Sequence, residues 1–126
     1  MASRMKTIHE RRRELRATEH VPLAITDAGA VLTTETKNLS ASGAYCTLDR
    51  FIAPMSKLQL TFELPNGRRK THIRCSGVVV RVEPTIANSE RARYNIAVFF
   101  TELSDRDRTA IKRFVRERLS TTPSAT

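Results

Sequence analysis

The sequence predicts an all-β domain with one C-terminal helix, its antiparallel strands curled into a small barrel. Three observations lead there. Apolar and polar residues alternate in several separate runs, which is the period of half-buried strands. Turn signals such as Asp27-Ala28-Gly29 and Pro65-Asn66-Gly67 stand between those runs. Past residue 103 the apolar spacing changes to that of a helix. The length of 126 residues suits a single domain, and 40% hydrophobic content is enough for a packed core.

Residues 1–18 read as a basic N-terminal arm. Met5, Ile8 and Leu15 are spread too thinly through charge to make a stable free helix. Little in the arm would anchor it without a ligand. The barrel is expected over residues 19–103. Val21, Leu23 and Ile25 alternate with Pro22, Ala24 and Thr26, and Pro22 fits a strand start or an edge. Val31–Lys37 is threonine-rich and forms the second strand. Asn38-Leu39-Ser40-Ala41-Ser42-Gly43 interrupts the pattern as a turn or bulge, and Ala44, Cys46 and Leu48 then share one face. Leu58, Leu60, Phe62 and Leu64 make the clearest strand, returned by a hairpin at Asn66-Gly67.

On the return strand, Ile73 and Cys75 hold one parity while Val78, Val80 and Val82 hold the other. A β-bulge at Ser76-Gly77 would bring both sets to one face. Tyr94, Ile96, Val98 and Phe100 form the last strand. Curling such a bent sheet into a barrel hides its edges. Ser104 is a helix N-cap, with Asp105 and Asp107 in the first turn, and Ile111, Phe114, Val115 and Leu119 face the barrel over residues 104–119. The remaining basic face of this helix reads as solvated, or else as a face that docks a partner. Residues 120–126 form a frayed tail.

The charge is +9, with 22 Lys and Arg against 13 Asp and Glu, and it attracts anionic partners without choosing among them. The positive excess is strong in the N-terminal arm. No apolar run is long enough to span a bilayer and no signal-peptide core is present, so the chain reads as cytoplasmic. Cys46 and Cys75 read as reduced core thiols. His9, His20 and His72 are dispersed, and no metal-ligand spacing occurs, so no metal site is expected. Neither Ser40 nor Ser42 has a histidine or acid in a recognisable relation to it, and no Walker-type glycine loop is present; the chain does not read as an enzyme.

Two stretches carry binding chemistry. Arg11, Arg12, Arg13 and Arg16 offer planar, permanently charged forks that suit phosphates and the O6/N7 edge of guanine. Asn38, Ser40 and Gly43 offer a carbonyl oxygen, a hydroxyl and a backbone without Cβ. The pattern Arg12-x-x-x-Arg16, followed by Asn38-x-Ser40-x-x-Gly43, resembles the two motifs of the PilZ domain family, and every defined position matches. The resemblance covers about residues 8–119.

It implies a six-stranded antiparallel barrel that binds cyclic di-GMP and passes the signal to a downstream protein controlling motility, exopolysaccharide or virulence. On this resemblance Arg12 and Arg16 contact phosphates and guanine. Asn38 and Ser40 meet the donor edge of the base, and Gly43 lets the backbone take a positive φ or approach the base closely. Arg13 and Ser42 are auxiliary positions. In that family an arginine directly before the pair, here Arg11, goes with a stacked ligand dimer, so two ligands per protomer are expected. The ligand would draw the arm onto the barrel.

Two other readings stay open. A small basic barrel could bind nucleic acid, although the chain has no Trp and its five Phe fall mostly at core parity. Alternatively, a PilZ-like scaffold could hold another protein without binding the nucleotide.

Overall fold

The computed structural model describes residues 15–85 and 92–121. Six strands run β1 (Pro22–Asp27), β2 (Ala30–Leu39), β3 (Gly43–Leu48), β4 (Lys57–Asn66), β5 (Arg69–Pro84) and β6 (Tyr94–Glu102). They close into an antiparallel barrel in the order β1-β2-β3-β6-β5-β4, and helix α1 (Asp105–Thr121) follows. The expected fold class is therefore the observed one. Inward positions of all six strands, with Ile111, Phe114 and Val115 of α1, form one core. Each such large side chain, fully buried, stabilises the fold by about 1.5–3 kcal/mol.

The turns show where residue chemistry acts. Ala28 and Gly29 both have positive φ, 51° and 89°, which is the two-residue turn whose twist matches the flanking strands. The second hairpin sits one residue beyond the Asn-Gly pair. Asn66 still pairs with Arg69, so the turn residues are Gly67 and Arg68, and Gly67 takes the positive φ of 64°. Glycine at the first turn position is the requirement of a type II′ turn.

The parity change on β5 also falls elsewhere than the sequence predicts. Ile73, Cys75, Gly77 and Val79 keep one inward parity straight through Ser76-Gly77. At Ser76-Gly77 the extra residue lies on β6, where Thr101 is passed over. The slip on β5 comes between Val79 and Arg81, leaving Val80 as the bulged residue, 53% exposed. Val82 then packs partly against the core.

Ser104 caps α1 as expected. Its Oγ accepts from the Asp107 amide at 3.1 Å and its carbonyl from the Arg108 amide at 2.8 Å. The helix runs two residues past the predicted end at 119, and Leu119 is 39% exposed rather than on the buried stripe. Residues 122–126 of the expected tail lie outside the described residues.

Cys46 and Cys75 are free and buried. Burial pushes the Cys46 thiol up to about 11 and, helped by Asp107, the Cys75 thiol up to about 12, from 9.0. The neutral thiol is the buried form, so the folded state gains nothing extra below pH 9. As pH rises past the unfolded-state value, the unfolded thiols ionise first and stability falls. We expect both thiols to resist an aromatic disulfide reagent at pH 8 and to react fully once the chain is unfolded in guanidinium. Prompt labelling of the native protein would contradict this burial.

Candidate functional site

The site is built where the segment before β1 meets the end of β2. Ala17 and Leu39 exchange two backbone hydrogen bonds of 2.9 Å in an antiparallel bridge. Both side chains are buried. Thr36 extends the seam: its buried Oγ1 donates to the Glu19 carbonyl at 2.6 Å and accepts from the Val21 amide at 3.0 Å. The Thr36 amide donates to the Val21 carbonyl at 2.9 Å. Fixing a buried hydroxyl through both its donor and acceptor roles avoids the cost of an unmet polar group.

This corrects the expected arm boundary. The sequence places residues 1–18 outside the barrel, whereas Ala17 already belongs to the core. Arg16 is consequently one residue from a fixed point. The antiparallel register sets Arg16 level with Ser40, and Thr18 level with Asn38. Arg16 is exposed. The bridge thus brings one arginine of the first stretch to the second stretch. Arg11, Arg12 and Arg13 lie outside the described residues.

The interruption expected over Asn38–Gly43 narrows to Ser40-Ala41-Ser42, because Asn38 and Leu39 end β2 and Gly43 begins β3. A register shift between Thr36 and Asn38 passes over Lys37 just before the turn. Such a bulge bends the strand and re-aims the next side chain. The turn is held from several sides. The Ser40 amide donates to the Gly43 carbonyl and the Phe100 amide to the Ser42 carbonyl, both at 2.9 Å. Ser40 Oγ is buried, stands 3.3 Å from Ser42 Oγ, and accepts from the Ser42 amide at 3.3 Å.

Arg108 of α1 donates from Nη1 to the Ala41 carbonyl at 3.1 Å. Sequence reading leaves Arg108 on the solvated face of the helix; nothing in the spacing signals a contact across 67 residues.

Of the two roles expected of Gly43, the positive φ is not found. A Cβ on Gly43 would instead collide with the Val98 carbonyl oxygen of β6. The missing side chain lets two strands of the barrel pass closely.

A separate cleft of about 560 Å³ borders β1 and α1, where Pro22, Phe62, His72 and Phe114 contribute to its lining. Among the described candidate residues, Arg16, Asn38, Ser40, Ser42 and Gly43 do not line it. Among the described residues no cluster of His, Cys, Asp and Glu could hold a metal ion. No helix among them is long and apolar enough to cross a membrane.

The family model of the PilZ domain matches residues 10–117. The chain belongs to the PilZ domain family. The barrel is also similar to several solved structures. The Bacillus subtilis inhibitor of motility MotI/DgrA superposes with a TM-score of 0.74 at 20% identity, over 87% of this chain and 52% of that one. The PilZ domain of Escherichia coli YcgR with c-di-GMP gives 0.66 at 12% identity, over 91% and 96%. The K. pneumonia MrkH–c-di-GMP complex gives 0.65 at 15% identity, over 90% and 55%. This PilZ domain therefore spans about half the length of MotI and MrkH, and almost the whole of the YcgR domain. At these identities the likeness shows the fold. No curated protein sequence matches the chain.

Proposed function

We propose that this PilZ domain is a cyclic di-GMP receptor, and that Arg11, Arg12, Arg16, Asn38, Ser40 and Gly43 form its site, with Arg13 and Ser42 as auxiliary residues. The observation that supports this is the Ala17–Leu39 bridge, which sets Arg16, one residue of the first motif, level with Ser40 of the second. Solved relatives of the same fold hold c-di-GMP. The chemistry fits the ligand. The guanidinium groups neutralise the phosphates and can fork onto guanine O6 and N7. The Asn38 side-chain oxygen accepts from the N1–H and N2–H edge, with the Ser40 hydroxyl beside it. Gly43 contributes by keeping the turn tight against β6.

A ligand gripped by both stretches closes the arginine arm over the barrel wall, forming a composite surface that a downstream protein reads. Arg11 adds the charge needed for a stacked ligand pair, giving two molecules per protomer. Output is to a separate protein in the cytoplasm.

The test is calorimetric titration of the full chain with cyclic di-GMP, beside cyclic di-AMP and a mixed oligonucleotide. Saturable binding of cyclic di-GMP near two equivalents, with no comparable heat from the others, is the expected result. Absence of cyclic di-GMP binding overturns the proposal. So does equally tight oligonucleotide binding that falls steeply with salt, which marks a nucleic-acid protein.

A further inference from the structure

The outer wall beside the candidate turn carries two aromatic side chains that the binding motifs do not include. Ladder register sets Asn38 opposite Tyr45, and Gly43 opposite Phe99. Tyr45 in turn pairs with Ala97. Phe99 stands two residues along from Ala97, so Tyr45 and Phe99 are diagonal neighbours on one face of the β3–β6 ladder, within reach of each other for large side chains. The small Ala97 stands opposite Tyr45 and next to Phe99 along that face of β6.

Parity confirms the face. Ala44, Cys46, Val98 and Phe100 point into the core, whereas Tyr45 is half-buried and Phe99 is 50% exposed. Leaving a phenylalanine half in water forgoes burial that its two neighbours Val98 and Phe100 obtain. The sequence signal was readable, an aromatic at solvent parity, but the expectation that the phenylalanines sit mostly in the core passed over it.

We propose that Phe99 and Tyr45 form an aromatic floor on which a guanine of the bound nucleotide stacks. The inference rests on the cyclic di-GMP reading. Flat purines gain from an aromatic face irrespective of base identity, while a donor–acceptor match such as that of Asn38 supplies discrimination. The two aromatics adjoin, in register, the two ends of the Asn38–Gly43 stretch. A base held by Asn38 is thereby placed over Tyr45, and its extension past Gly43 over Phe99.

The experiment uses the full chain and three variants. Phe99→Leu and Tyr45→Leu keep apolar bulk and remove the ring. Each is expected to weaken cyclic di-GMP binding about tenfold while thermal unfolding of the free protein is unchanged. Phe99→Trp introduces the single tryptophan of a chain that has none. It keeps a ring at this place, and its emission is expected to be quenched as the nucleotide saturates. Wild-type affinity in both leucine variants overturns the floor while leaving the receptor reading intact. Unquenched emission from Phe99→Trp during confirmed binding does the same, even if a leucine variant folds poorly. If the parent chain fails to bind cyclic di-GMP, the receptor reading and the floor fall together.

Discussion

Arg16→Ala will weaken cyclic di-GMP binding by at least about thirtyfold, the loss of one charge-assisted contact of roughly 2–3 kcal/mol. The same substitution will leave thermal unfolding of the free protein within about 0.5 kcal/mol of the parent, as surface replacements usually do. Arg16 is exposed, and its neighbour Ala17, not Arg16 itself, holds the segment to Leu39. Affinity and stability therefore separate at this residue. Arg16→Lys is expected to recover only part of the loss, because an ammonium lacks the planar fork for phosphate and guanine. Calorimetry of the variant and the parent, with a thermal scan of each, makes the comparison. An unimpaired titration of Arg16→Ala would remove the arginine from the site.

Gly43→Ala will act through the fold. The added Cβ meets the Val98 carbonyl oxygen, a backbone atom of β6 in a ladder closed on both sides. Backbone in a closed barrel yields less readily than a side-chain end, so overpacking of about 3 kcal/mol is expected. For a domain of this size that lowers the melting temperature by roughly 10–20 °C. Gly77→Ala is the comparison. There the added atom first meets Val98 Cγ1 at 2.7 Å and Leu60 Cδ1 at 2.8 Å, which are side-chain ends able to turn away. A smaller loss is expected. Equal melting of the Gly43→Ala variant and the parent would show that the strands can separate at this point.

The barrel was legible in the sequence because its strands alternate strongly and its turns carry Gly. Leu58–Leu64 and Tyr94–Phe100 illustrate this. What was misplaced depended on pairing between strands. The β5 slip could be located only by knowing which β6 residue opposes Val79, and the Asn66-Gly67 turn moved by one because Asn66 pairs with Arg69. The Asn38–Gly43 stretch was visible as a run of small polar residues. The reason for its glycine was not, since Val98 lies 55 positions away in sequence. Arg108 and Phe99 escaped for the same cause: their neighbours at the turn come from distant parts of the chain. Arg16 was legible as a candidate, but its anchorage through Ala17 rests on one buried alanine in a charged segment.

The closed ring of strands has a further consequence for how signals can leave this molecule. Each of the six strands pairs with two neighbours, though not along its whole length: Ala30–Glu35 of β2 and Arg69–Cys75 of β5 pair on one side alone. Strand addition, a recognition mode that relies on unpaired backbone, is therefore confined on the described wall to such one-sided stretches. Where strands pair on both sides, as β3 does with β2 and β6 at Ala44–Cys46, a protein must recognise the wall through side chains, so point substitutions there will discriminate between partners sharply.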